Sequence, residues 1–198
     1  MISKSQKNDR QVIKTRNLIQ DAFLSLANEK SFEDITVKDI SERAPVNRST
    51  FYAHFEDKYN LLDSFISDKF MTIVSSRIHS DTKLTEETLR NLILIMCDYH
   101  QSIGNNYTRL YKSAAVLIDI KVQIKLQDIV LNMLINSKTF SRNEQDKLEL
   151  ITVMISSGIY CATKRWHSKG TLKNASALIK EVLPFMSSGL KSAIGKVT

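Results

Sequence analysis

Between Asn47 and Lys58 the chain reads NRSTFYAHFEDK. Five side chains able to form directional hydrogen bonds, Asn47, Arg48, Ser49, Tyr52 and His54, fall within eight residues of one another. Phe51 and Phe55 lie four apart, and on a helix that spacing puts them on one face. Arg48, Ser49, Tyr52 and Ala53 then occupy the opposite face. A guanidinium held on an exposed helix face suits the paired acceptors of guanine, and hydroxyls suit phosphate oxygens. The chemistry offered is recognition, not bond breaking. The competing reading makes Phe51, Tyr52, His54 and Phe55 a packing cluster and nothing more. It is expected to hold for the two phenylalanines.

Catalytic and metal-binding patterns are missing. His54, His79, His100 and His167 are scattered, with no H-x-x-x-H or C-x-x-C spacing and no glycine-rich phosphate loop. Cys161 and His167 lie six apart, nearly opposite on a helix, and Glu86 and Glu87 are adjacent and read as solvated. No enzyme activity, metal or cofactor is expected. Cys97 and Cys161 sit in apolar helical patterns, which fits buried free thiols in a reducing cytoplasm. No signal peptide is legible, and no apolar run reaches the ~20 residues that cross a bilayer.

A short recognition helix needs support, and the elements around it supply a pattern for that. Apolar positions from Val12 and Ile13 through Ile19, Phe23, Leu24 and Leu26 predict a first helix from about Asp9. Thr36 can cap a second, with Asp39 three residues on as its box partner, and Val37, Ile40 and Ala44 face inward. Pro45 stops it. Asn47 can cap the third, from Arg48 to about His54. Asp57 starts a long fourth, ending near Ser80, and Lys58 lies in its first turn, in reach of a phosphate. The free amides at the second helix's start, with Thr36, can also hold a phosphate.

With 198 residues, 5 Gly and 2 Pro, long helices are allowed almost everywhere. Thr85 caps a fifth helix, GNNY at 104–107 breaks the pattern, and a short helix to about Lys112 leads toward a strongly apolar one over 116–135. Lys147–Trp166 and Asn174–Ser188 complete the series, with Gly170 as a left-handed stop and Pro184 kinking or ending the last. The β-branched run Ile151-Thr152-Val153 reads as buried helix because apolar residues flank it on both sides. The expected fold is all-α, about nine helices. A first domain spans 1–56 and a second, helical one 57–198, joined without a linker through the stiff fourth helix.

Charge is a weaker guide. The chain carries a net +7 and a pI near 9.4, yet residues 1–60 hold ten basic and nine acidic side chains. The excess lies elsewhere. A local basic arm, Lys4, Lys7, Arg10, Lys14 and Arg16 against Asp9 alone, can touch phosphates.

The run over 32–62, with ITVKDISERA, then V-N-R-S-T-F-Y, then His54, Phe55, Lys58 and Leu61-Leu62, resembles the N-terminal DNA-binding domain of tetracycline-repressor (TetR) type regulators. That resemblance implies a helix-turn-helix in which Thr36, Lys38, Arg48, Ser49, Tyr52, His54 and Lys58 fall on DNA-contacting positions. It also implies that the rest of the chain is a helical dimerisation and effector domain. One departure is plain: the family's turn glycine is replaced by Pro45, so the turn must close differently. The stretch SSGIYCATKRWHSKG at 156–170 resembles a subgroup related to dihydroxyacetone-kinase gene regulators.

A homodimer on a palindromic double-stranded operator is expected, since one short helix touches too few base pairs for useful discrimination. Ile155, Gly158, Ile159, Ala162 and Trp166, with Ile179, Val182, Leu183 and Met186, are the candidate dimer face. The alternative for them is an ordinary core. Met96, Tyr99, His100, Tyr111, Met133 and Met154 are candidates to line a pocket for a small apolar effector. The expectation is a cytoplasmic, ligand-responsive repressor; the alternative is an activator or coregulator controlled by a protein partner.

Overall fold

In the computed structural model, residues 4–137, 144–168 and 174–194 are described. They form eight helices and no strand. These are α1 (Lys4–Glu29), α2 (Val37–Arg43), α3 (Arg48–His54), α4 (Lys58–Ser75), α5 (Glu86–Asn106), α6 (Thr108–Asn136), α7 (Gln145–Ser168) and α8 (Ala175–Ile194). Gly170, read as a helix stop, lies outside the described residues, as do the side chains of Lys4 and Lys7.

The chain divides into two compact units, Met1–Ile66 with Tyr107–Ile118, and Ser67–Asn106 with Asp119–Thr198. Two of the three divisions fall inside helices, α4 and α6, and the third falls between α5 and α6. The first unit therefore reaches beyond the expected 1–56. Its extra segments are held by named contacts: Ser113 Oγ accepts from the Phe32 amide at 3.1 Å, Arg109 donates to the Asn28 carbonyl at 3.1 Å, and Phe65 meets Tyr107 edge-on.

In the first unit, Ile19, Phe23, Leu26 and Ala27 of α1 recur at three- and four-residue spacing and are buried. Val12 and Ile13, expected on the same inner face, are exposed instead. Phe23 and Phe32 pack edge to face at 6.2 Å, and Phe51 and Phe55 meet at 5.9 Å. Ile40, Leu61, Leu62 and Phe65 complete this core.

The second unit is centred on α5, which buries Leu89, Leu92, Ile93, Ile95, Met96 and Tyr99 and packs on α7 and α8. Phe70 of α4 lies edge-on to Tyr99 at 5.5 Å. Asn136 Nδ2 donates to the carbonyls of Ser80 and Thr82, and the Leu84 amide donates to Ser137 Oγ, pinning the turn before α5.

Several boundaries differ from expectation, among them the start of α1 at Lys4 rather than near Asp9. α4 ends at Ser75 rather than Ser80, and α5 continues through Gly104 to Asn106. The expected short helix near Lys112 is not separate. It runs into α6 through a single non-helical residue, Ala114 (φ −129°, ψ 23°). α8 continues through Pro184 to Ile194. Proline removes its own amide bond and crowds the carbonyl four residues back, but apolar anchors on both sides, Leu183 and Leu190, hold the helix to the core. The run Ile151-Thr152-Val153 is helical, as read, but only Thr152 is buried, and Val153 faces outward.

Candidate nucleic-acid interface

Local chemistry builds the start of α2. Thr36 is extended (φ −110°, ψ 158°), its Oγ1 accepts from the Asp39 amide, and Asp39 returns the bond to the Thr36 amide at 2.8 Å. This is the reciprocal capping box read from the sequence. A long-range partner completes it. Lys30, just beyond α1, reaches Asp39 at 2.6 Å. The Lys30 bond first, then those from Thr36, hold the Asp39 carboxyl far below the usual carboxylate range. At the other end of α2, Arg43 forks onto both oxygens of Glu29 at 2.7 and 2.9 Å and donates to Ser25. The bond to Arg43 lowers the pKa of Glu29, and the bond to Glu29 raises that of Arg43. Neither brace was visible in the sequence, because the partners are separated along the chain.

The turn between α2 and α3 uses no left-handed residue at Ala44 or Pro45. Ala44 sits at φ −84°, ψ 10°, donating to the Ile40 carbonyl, and the Val46 amide reaches back to the Ser41 carbonyl at 3.0 Å. Pro45 takes the place where no donor is needed. The same helix pair forms, as expected.

Asn47 caps α3: its Oδ1 accepts from the Thr50 amide at 2.7 Å and from the hydroxyls of Ser49 and Thr50. With its oxygen committed, only the amide NH₂ remains to meet a ligand. Phe51 and Phe55 are buried. On the opposite side, Arg48 and Ser49 are exposed, and Tyr52 is 56% exposed with its ring edge-on to Phe51. His54 is half-buried against Phe55. Thr36 is exposed, and so is Lys38, which pairs with Glu42 one turn on. Behind this surface, Arg16 bonds Ser64 and stacks its guanidinium on Phe55.

Lys58 is placed differently from the rest. Its ammonium donates to three backbone carbonyls, those of Phe32, Glu33 and Ile35, at 3.0, 2.7 and 3.0 Å. It also lies 4.9 Å from the centre of the Phe32 ring and 5.6 Å from that of Tyr59.

Two short helices set at a tight turn, the second presenting a polar face, define a helix-turn-helix protein. Residues 19–65 match the model of bacterial regulatory proteins of the tetR family. Over this segment the chain is similar to the TetR family. It is 34% identical over 97 residues to "Uncharacterized HTH-type transcriptional regulator YxbF" of Bacillus subtilis (strain 168), covering 46% of this chain and 26% of that protein. It is 29% identical over 68 residues to "HTH-type dhaKLM operon transcriptional activator DhaS" of Lactococcus lactis subsp. lactis (strain IL1403), covering 34% and 36% respectively. The chain thus spans about a quarter to a third of the length of these curated relatives. Among solved structures, "Dihydroxyacetone kinase operon activator DhaS" shares the fold at 19% identity, with a TM-score of 0.58 over 88% of this chain and 97% of that one. These relatives are regulators, not enzymes.

The second unit sorts the remaining candidates. Ile155, Ile159, Ile179 and Leu183, placed on the dimer face, are buried inside the subunit. They form its own core because α7 and α8 turn these faces to α5. The outward faces carry other residues: Leu150, Val153 and Met154 on α7 and Phe185 on α8, the last 82% exposed. Of the original set, Gly158 is exposed, and Ala162, Trp166, Val182 and Met186 are half-buried. A Cβ at Gly158 would meet only the end of the Met186 side chain, at 3.9 Å, which is ordinary contact, so the α7–α8 approach does not depend on this glycine. A groove of about 500 Å³ between the two helices is lined by Ile151, Met154, Phe185, Met186 and Leu190.

The effector candidates lie in different settings. Met96, Tyr99 and Met133 are core, Tyr111 belongs to the first unit, and Met154 lies at the surface. His100 is buried. Its Nε2 lies 3.2 Å from Thr163 Oγ1, its ring stacks on His167 at 6.0 Å, and Tyr160 stands edge-on at 5.4 Å. Desolvation first, and the neighbouring His167 second, push the His100 pKa down to about 4. Burial lowers that of His167 as well. Asp119 accepts the Tyr160 hydroxyl at 2.6 Å and pairs with Lys164. Burial raises the Cys97 thiol to about 11, leaving it an inert core residue, whereas Cys161, expected to be buried, is exposed on α7. Among the described residues no helix is long and apolar enough to cross a membrane, and no cluster of three or more metal-ligating groups occurs.

Proposed function

We propose that this chain is a cytoplasmic, sequence-specific DNA-binding transcription regulator that acts as a homodimer on a palindromic operator and represses by occupying it. The observation that carries this reading is the outer face of α3. Arg48, Ser49 and Tyr52 are exposed together, while Phe51 and Phe55 anchor the helix from behind. Arg48 has the geometry to read a guanine through two parallel bonds, and Tyr52, Lys38, Thr36 and His54 serve backbone oxygens. The committed Asn47 oxygen makes Asn47 a cap first and a DNA contact only through its NH₂.

The dimer forms through the outward faces of α7 and α8, with Leu150, Met154 and Phe185 at its centre. Gly158, Val182 and Met186 of the expected set adjoin them. Two helices from each copy make a four-helix seam about a two-fold axis. An exposed apolar surface of this kind marks an interaction site. Half-sites about one helical turn apart, ~10 base pairs, follow from two-fold symmetry.

A second reading, control by a protein partner with activation as the outcome, is supported by α6. Ile120, Ile124 and Ile135 are exposed on its outer side, while Val122, Leu126 and Val130 fill its inner side. A helix apolar on both sides is ordinarily covered on both. The relative DhaS is named an activator. A small apolar effector has less support, because the residues expected to line its pocket are packed or dispersed.

The test is selection of bound fragments from random DNA with the full chain. A two-fold symmetric consensus supports the proposal; enrichment of no sequence rejects it.

A further inference from the structure

We infer that Lys58 acts on DNA recognition from inside the protein, as the clamp that sets the start of α2, and that it does not hold a phosphate. An ammonium has three N–H donors. All three are directed at carbonyls of one turn, Phe32, Glu33 and Ile35, within 3.0 Å. The rings of Phe32 and Tyr59 take up the rest of its surroundings. No donor is left for an anion. Charge-assisted bonds to neutral carbonyls are stronger than ordinary ones, and the aromatic faces add attraction for the cation.

The turn so held is the one that leads into Thr36. The Ile35 carbonyl binds the lysine, and the next residue is the α2 cap, tied in turn to Asp39 and Lys30. The Phe32 amide is tied off separately by Ser113. Without the ammonium, three carbonyls that converge on one point repel each other, and the first turn of α2 loses its register. Lys58 is therefore a positioning residue for the surface that carries Thr36 and Lys38. The DNA half of this inference rests on the function proposed above; the clamp itself does not.

Arginine separates the two roles. It serves a phosphate at least as well as lysine, but its planar fork cannot converge on three carbonyls from one apex. Lys58→Arg and Lys58→Gln are compared with the unaltered full chain. Three properties are followed: melting temperature, hydrogen exchange of the bonded Ile35, Asp39 and Ile40 amides, and affinity for a mixed-sequence duplex of about three helical turns. Affinity is measured across a salt series, well below every melting point.

The clamp predicts that both variants melt about 5 °C lower and exchange these amides faster. Both lose roughly tenfold in affinity at every salt concentration, with an unchanged log–log slope and arginine no better than glutamine. A slope shallower by about one in the glutamine variant, restored by arginine, overturns the inference whatever the melting temperatures do. If the unaltered chain holds no duplex at all, the proposed function fails. Melting and exchange then decide alone, and variants that match the parent in both overturn the clamp.

Discussion

Replacing Phe185 by glutamate tests the dimer face most directly. A phenylalanine side chain presents roughly 200 Å², and 82% of Phe185 is exposed in the subunit. About 160 Å² is therefore available for burial. At about 25 cal/mol per Å² this contributes ~4 kcal/mol from each copy, or ~8 kcal/mol across a two-fold interface. Association entropy and side-chain ordering offset part of that. A dissociation constant raised by at least roughly 100-fold, about 2.7 kcal/mol, is the expected outcome. Sedimentation equilibrium over a concentration series measures it. The companion is Ile159→Ala. Ile159 is fully buried within the subunit, so this change costs about 2–5 kcal/mol of folding stability and leaves the association constant of the folded chain unchanged. A Phe185→Glu protein that dimerises as tightly as the parent refutes the reasoning, as does an Ile159→Ala protein that folds normally but dissociates.

Other outcomes follow from the same geometry. Arg48→Ala relaxes the base preference at one operator position by about 1–3 kcal/mol, measured by salt-controlled titration against operator variants; full discrimination retained would remove Arg48 from base reading. Tyr52→Phe weakens binding to all duplexes alike, seen as parallel shifts for operator and random DNA. Thr36→Val removes the side-chain cap of α2 and lowers stability by about 0.5–2 kcal/mol, read by urea denaturation. His100 makes stability depend on pH. Its folded pKa is depressed to about 4 from 6.5, so between these values the unfolded chain takes up a proton that the folded chain refuses. Stability is full above pH 6.5 and falls by about 3 kcal/mol as the pH drops toward 4. The groups facing His100, namely His167, Asp119, Lys164 and Tyr160, remain in His100→Gln, and that variant should show a flatter thermal-denaturation profile over this window.

The parts of the fold legible in the sequence are those settled within one helical turn. Thr36 and Asp39 are three residues apart, Asn47 and Thr50 likewise, and Phe51 and Phe55 four, so caps and inner faces could be assigned from spacing alone. Lys30 to Asp39, Arg43 to Glu29 and Lys58 to three carbonyls are tertiary, and backbone acceptors leave no mark in the sequence. Lys58 looked like a phosphate ligand because a lysine in a first helical turn is ordinarily solvated. In the second unit, periodicity itself was uninformative. α7 carries apolar residues on nearly every side, so Ile159 and Met154 could not be told apart, although one is buried and the other 74% exposed. The pocket candidates failed for a related reason: aromatic and methionine side chains suit a packed interior as well as a binding cavity.

The proline between α2 and α3 has a consequence of its own. Its ring locks φ at one of the four residues that join the helices, and the neighbouring Ala44 adopts a conformation open to any residue. A glycine there would leave the disordered chain many more arrangements to give up on folding. The corner is thus stiffened covalently, before any duplex arrives. A rigid elbow gives little freedom for α3 to adapt to a poorly matched groove, so this variant of the motif favours stringency over tolerance in the sites it accepts.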